Sequence, residues 1–329
     1  MSIATPSKNS VHWNLSGWNE VVLFIDQSSH IDDFLIEVGG WQERCKTELD
    51  PALLMFWNLD AHTKGTERVL SAIEAPQRLM RVLKLDQPSS IATRTHCQAW
   101  DAGGIFDLNV RVKNINHYLP QFCQWGWQAV CPPLQFTFGK FEVKEWIVKD
   151  PCGITLALIE RLSPPLPSDA FHTLSTAFNS TQVVKDFDQA YLFYTEVLQF
   201  QSYLSHRGVS QKPGSNVFGL PREVALKIER QVEILHPQGL NEGSIELLSF
   251  QGIHGEDASL YTAPPHLGIN TLRFPTQNIH LFHTHVHAHY QSDLVSDIHC
   301  VNLSLIGKVK IFSVYTPDAV RLEFYESYA

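Results

Sequence analysis

"TPDAVRLEFYE" (residues 316–326), close to the C-terminus, repeats the pattern of "DPCGITLALIE" (residues 150–160): a turn containing Asp and Pro, then an apolar, strand-forming run. One copy carries Glu323 where the other carries Ala157. A strand phrase recurring at this distance marks an internal repeat on the scale of whole units. The carboxylate kept in one copy and lost from the other implies that the repeated units differ in chemistry.

Four short apolar segments read as strands that open such units: "EVVLFID" from Glu20, "DLNVRV" from Asp107, "STQVVKD" from Ser180 and "INTLRF" from Ile269. An amphipathic helical stretch follows each of the first three, at residues 31–41, 115–127 and 187–200. In the last of these, Tyr191, Phe193, Tyr194, Val197 and Leu198 recur at helical spacing and predict one broad face against a sheet. Further strands complete each unit, four times over. A single unit cannot bury both faces, so units are expected to pair and close a cup. The Pro-rich stretch "LSPPLPSDAFH" (162–172) predicts a boundary between residues 1–163, holding units 1 and 2, and residues 172–329, holding units 3 and 4. The segment 252–265 separates units 3 and 4.

Composition limits what these units do. A chain of 329 residues, 44% hydrophobic and 11% aromatic, can bury a large core and fits two domains. A formal net charge of −9 and the lack of any Lys/Arg cluster argue against nucleic acid or an anionic membrane as partner, leaving small molecules. The six cysteines form no C-x-x-C pair and read as reduced thiols. The N-terminus has no charged-then-apolar leader pattern, and no apolar run is long enough to span a bilayer. A cytoplasmic monomer or homodimer is the expectation.

The segment "AFNSTQVVKDFDQAYLFYTEVLQF" (177–200), with the strands "DPCGITLALIE", "GSIELLSF" and "TPDAVRLEFYE", resembles the vicinal oxygen chelate superfamily, which includes glyoxalase I, bleomycin-resistance proteins and extradiol dioxygenases. The resemblance runs from about Trp18 to Tyr325. It implies an α+β fold of four βαβββ modules paired into two open barrels, each built around a divalent metal. It also implies metal ligands at the start of each module's first strand and a Glu in its last strand.

Carried over residue by residue, the last-strand Glu falls at Glu246 in module 3 and Glu323 in module 4. Module 2 has Ala157 there, and "RLMRVLKL" in module 1 offers no Glu. The first-strand positions fall at Glu20, Asp107, Asn179 and Ile269, with His266 three residues before the last. The resemblance therefore implies an oxygen-rich site of Glu246, Glu323, Asn179 and His266 in residues 172–329, suited to Mg²⁺ or Mn²⁺, or to Fe²⁺ or Zn²⁺ if His266 contributes. The alternative is that Glu246 and Glu323 are ion-paired, since an unpaired buried carboxylate is costly. Arg273 shares a strand face with Ile269 and Thr271 and is the candidate partner. Asp107, Asn109 and Arg111 also share a face. There Arg111 would recognise an anionic ligand, or would pair with Asp107 or Glu145 at the rim. The run "HLFHTHVHAHY" reads as a solvated helix face, with His285 and His289 forming an i, i+4 pair.

Two functions follow. In one, Glu246 and Glu323 serve a metal-dependent lyase, isomerase or dioxygenase acting on a small oxygenated molecule. In the other, the cup is a metal-free binding site, with Arg111, Arg273 and Asp107 contacting the ligand.

Overall fold

A computed structural model describes residues 13–94, 96–167, 169–210 and 216–328. Module 1 comprises β1 (Glu20–Ile25), α1 (Ile31–Glu37), β2 (Gln42–Glu48), α2 (Pro51–Phe56), β3 (Gly65–Ser71) and β4 (Leu79–Leu85). Module 2 comprises β5 (Asp107–Val112), α3 (Ile115–Gln124), β6 (Leu134–Phe138), β7 (Phe141–Lys149) and β8 (Thr155–Ser163). Module 3 comprises β9 (Leu174–Val183), α4 (Phe187–Leu192) continuing into a π-helical turn at Phe193–Val197, β10 (Gln201–Gly208), β11 (Glu229–His236) and β12 (Ser244–Gln251). Module 4 comprises β13 (Gly268–Pro275), α5 (Ile279–His289), β14 (His299–Leu303), β15 (Gly307–Tyr315) and β16 (Arg321–Ser327).

Local chemistry sets these elements. Asp50, Asn114 and Asp186 accept backbone N–H groups at the starts of α2, α3 and α4, satisfying donors that the first turn leaves free. On α5, Ile279, Phe282 and Val286 are buried at helical spacing, and His280, His287 and His289 face out. His283 and His285 are half-buried, and their Nε2 atoms contact the carbonyls of Ser296 and Val197 at 2.9 and 3.0 Å.

The sixteen strands form two eight-stranded sheets, ordered β14-β15-β16-β13-β1-β4-β3-β2 and β10-β11-β12-β9-β5-β8-β7-β6. The antiparallel pairs β1–β13 and β5–β9 are their central seams. Module 1 therefore pairs with module 4, and module 2 with module 3, which corrects the expected pairing of 1 with 2 and 3 with 4. The Pro-rich stretch does not separate two barrels; it joins β8 to β9, two strands flanking β5 in one sheet. Modules 1 and 2 meet instead through their helical side, where Phe34 lies 4.5 Å from Phe122 and 5.5 Å from Trp127, ring centre to ring centre. Phe193 and Tyr290, 4.6 Å apart, join modules 3 and 4 in the same way. The helix-bearing faces of both sheets merge into one core. The opposite faces curl into two cups, each with its own cluster of buried apolar residues.

Candidate functional site

Alternation along each strand sends one set of side chains into each cup. In the cup of modules 1 and 4, β1 contributes Glu20, Val22 and Phe24, β4 contributes Arg81, Leu83 and Leu85, β13 contributes Arg273, and β16 contributes Arg321, Glu323 and Tyr325. Glu20, Arg81, Arg273 and Glu323 are fully buried. Arg273 donates through Nε to Glu323 at 2.6 Å and through Nη1 to Glu20 at 2.8 Å. Arg81 donates to Glu20 and to Glu67, each at 2.7 Å. Arg321 Nε and Trp57 Nε1 reach the other oxygen of Glu323 at 2.9 and 2.8 Å. Ser304 also donates to Glu67. Three carboxylates thus face three guanidiniums. The paired charge overcomes desolvation, and Arg273 and Arg321 hold the Glu323 carboxyl below the usual range even though burial pushes it up. Arg81 and Ser304 hold Glu67 low in the same way. Helix α2, an insertion in module 1 that the sequence pattern did not reveal, delivers Phe56 and Trp57 as part of the apolar filling.

The residues here do not fit the divalent metal that such a fold implies. Both oxygens of Glu323 are engaged by Arg273, Arg321 and Trp57, and the Arg273 guanidinium lies between Glu20 and Glu323, where an ion would have to lie. The first strand of module 4 presents Arg273 opposite Glu20, not the expected Ile269, and Arg81 stands in the last strand of module 1.

The cup of modules 2 and 3 has the same acids without these arginines. Register fixes the correspondence. Arg273 pairs with Glu20 across the seam and with Glu323 on the other side. Thr181 pairs with Asp107 and with Glu246 in the same sense. Arg81 aligns with Val22, two residues after Glu20, and Ala157 aligns with Asn109, two residues after Asp107. Glu67 lies opposite Leu83, two residues beyond Arg81, and Glu145 lies opposite Ile159, two beyond Ala157. Arg321 precedes Glu323 by two, as Ser244 precedes Glu246. Asp107, Glu145 and Glu246 therefore match Glu20, Glu67 and Glu323, while Thr181, Ala157 and Ser244 stand in place of Arg273, Arg81 and Arg321.

The consequence is electrostatic. Burial pushes Asp107 up to about 7, against hydrogen bonding from Thr181 and the charge of Arg94. Burial and the neighbouring Asp107 push Glu145 up to about 8, with Arg230 the opposing charge. Glu246 is raised well above the ordinary range by burial, then by Asp107 and Glu145. Glu145 and Glu246 make no hydrogen bond or ion pair with any described residue. Both lie deep in the fold yet keep intermediate exposure, so their accessible surface faces the cup interior. The walls are Trp100, Phe136, Phe138, Phe218 and Phe250, together with Val217, Leu220 and Ile228 from the connection before β11. Among the described residues, no three His, Cys, Asp or Glu side chains converge closely enough to hold a metal ion.

The expected metal set is thus divided. Glu323 lies in one cup, and Glu246 and Asn179 lie in the other, because modules 3 and 4 do not share a sheet. Asn179 is 1% exposed, and its amide is used internally, accepting from Asn109 at 3.0 Å and donating to Ser244 at 2.8 Å. His266 lies outside both cups, its Nδ1 3.0 Å from Ser89 Oγ and its ring against Tyr261. Arg111 sits at a rim, paired with Glu242 and stacked 3.7 Å above the Phe178 ring. Arg111 keeps its register with Ile159 on β8, but its guanidinium is taken up by Glu242 and Phe178 and makes no ion pair with Asp107 or Glu145 among the described residues. A separate cleft of about 440 Å³, between Thr262, Tyr290, Leu294 and Thr316, is lined by no carboxylate or histidine.

No protein-family model and no curated protein matches the chain in sequence. Solved structures do match in shape. Glyoxalase I from Zea mays aligns over 96% of this chain and 94% of its own, with a TM-score of 0.63 and 13% identity. A putative dioxygenase from Bacillus subtilis aligns over 95% and 85%, with a TM-score of 0.57 and 9% identity. Four βαβββ modules in two open eight-stranded sheets, matched over nearly the full length of a glyoxalase I, give this chain the fold of the vicinal oxygen chelate superfamily.

Proposed function

We propose that the cup of modules 2 and 3 is a binding site for a small organic molecule and that it works without a metal ion. One observation carries this reading: inside an aromatic-walled cup, Glu145 and Glu246 present accessible carboxyl groups that have no hydrogen-bond or ion-pair partner among the described residues. A buried polar group without a partner costs stability, and a bound molecule supplies the partner. Concave, largely apolar sites with a few convergent polar groups are the usual form of small-molecule sites. The cup of modules 1 and 4 is self-neutralised and filled, so it serves as scaffold. The metal-dependent lyase, isomerase or dioxygenase reading finds no support in these donor sets.

A second reading rests on a specific observation. Asp107 and Glu145, near 7 and 8, are poised to exchange protons at neutral pH. An acid–base isomerase or lyase acting on the bound molecule follows from that pair.

The test is a small-molecule screen by native mass spectrometry on the whole protein, repeated with Glu246→Ala and Phe218→Ala. Hits lost in both variants support the cup. Hits that survive both and vanish on substituting Tyr290 move the site to the 440 Å³ cleft and end this reading. Hits turned over by the protein but not by Glu145→Gln, which still binds them, favour the catalytic version.

A further inference from the structure

From the unequal charge of the two cups we infer that the ligand of the module 2–3 cup is an organic cation: a protonated or quaternary amine carried on an apolar, aromatic-sized body. This rests on the reading of that cup as a ligand site.

The two cups supply their own control. Both place three carboxyl groups at matching register positions: Glu20, Glu67 and Glu323 in one, Asp107, Glu145 and Glu246 in the other. In the first, three internal guanidiniums meet them, with contacts of 2.6 to 2.9 Å. In the second, the matching positions are Thr181, Ala157 and Ser244, which carry no charge. The nearby guanidiniums make no ion pair with these three acids among the described residues: Arg111 pairs with Glu242 and stacks on Phe178, and Arg161 stacks 3.8 Å above the Phe141 ring. Arg94 donates to the carbonyls of Gly103, Gln98 and Asp101 and lies over the Phe106 ring. Arg230 lies 5.8 Å from the Phe218 ring centre and makes no ion pair with Glu145 or Glu246 among the described residues.

What the second cup has in place of guanidiniums paired to its acids is aromatic surface. Trp100, Phe136, Phe138, Phe218 and Phe250 pack around it, and ring faces attract cations. Separated carboxyl groups under aromatic walls suit a diffuse organic charge that reaches several acids at once. They do not suit a small metal ion, which needs its ligands converged at one point. An anionic ligand would place a fourth acidic group beside three that already oppose one another's ionisation.

The experiment titrates the full chain by calorimetry with three probes of one size: benzyltrimethylammonium, benzyl alcohol and phenylacetate. Each is repeated with Glu246→Gln and with Thr181→Arg, which supplies a guanidinium where Arg273 lies in the other cup. The expected result is binding of the ammonium probe in preference to the alcohol, with no binding of phenylacetate. Glu246→Gln then weakens the ammonium probe by about tenfold, and Thr181→Arg abolishes its binding. If Thr181→Arg does not fold, Glu246→Gln decides alone. Phenylacetate or the alcohol binding as tightly as the ammonium probe, and lost in Phe218→Ala, keeps the cup as a site and overturns its charge class. Binding of Mn²⁺ that is lost in Glu246→Gln overturns the organic cation in favour of a metal. Failure of all three probes up to millimolar concentration overturns both this inference and the reading on which it rests.

Discussion

Arg273 bridges Glu20 and Glu323, donating Nη1 to one at 2.8 Å and Nε to the other at 2.6 Å, with all three side chains fully buried. The bridge spans strands from the two ends of the chain and closes the module 1–4 seam. Removing one partner of a buried ion pair leaves an uncompensated charge. Arg273→Ala is expected to destabilise the protein by roughly 3–5 kcal/mol in urea unfolding. Arg273→Lys recovers only part of this, because one ammonium cannot present the planar fork that reaches both carboxylates. A loss below about 1 kcal/mol in the Ala variant would show that the network is solvated rather than buried.

Neither cup offers a fit to a divalent ion. Purified, untagged protein is expected to contain far less than one transition metal per chain, and its melting temperature to be unmoved by a chelator or by added Mg²⁺ or Mn²⁺, which stabilise only a protein that binds them. One metal per chain, lost in Glu323→Ala and kept when His285 and His289 are replaced, would contradict the ion-pair account of that cup.

The two acid sets give opposite pH signatures. The folded pKa values of Asp107 and Glu145 lie above their unfolded values, so the folded state binds more protons between about pH 4 and pH 8. Stability from these groups therefore falls as pH rises through that window and levels off above it. Glu323 and Glu67 are held low, so their contribution is present above the ordinary carboxylate range and is lost as pH falls through their folded values. The ligand-free protein should be most stable on the acidic side of neutrality. Glu145→Gln should flatten the decline across that window by about 1 kcal/mol or more; an unchanged slope would refute the placement of that carboxyl. Binding of an organic cation should strengthen from pH 6 to pH 8 as these acids ionise, with Arg230 and Arg94 the opposing charges.

Arg111 has a rim role. Its partner Glu242 is 46% exposed, and its stacking on Phe178 holds the guanidinium at the edge of β5. Arg111→Ala is expected to cost about 1 kcal/mol or less and to leave ligand affinity unchanged. A large loss of affinity would return Arg111 to the binding site.

Much of the fold was legible because its signals are local. The four opening strands, the helices after them and the buried stripe Ile279, Phe282, Val286 are periodic patterns of near neighbours. Helix α2 was missed because it is short and interrupts module 1 without a repeat to compare it with. Glu67 escaped notice because a third-strand position becomes meaningful only once its register with β4 is known. Glu145, Asp107 and Glu246 are each visible in the sequence, but that they meet in one cup depends on the register of β5, β7 and β12 within the sheet.

The repeat, the strand faces and the last-strand acids Glu246 and Glu323 are written in the chain itself. That those two acids face different cups, that Arg273 answers Glu20, and that Thr181 stands where a matching arginine would be, emerge with the folded sheets. Side-chain alternation and helical periodicity are written within a few residues, whereas the choice of β13 over β5 as the partner of β1 depends on contacts made across almost the whole chain. A carboxylate's chemistry follows from which charges that choice brings to it.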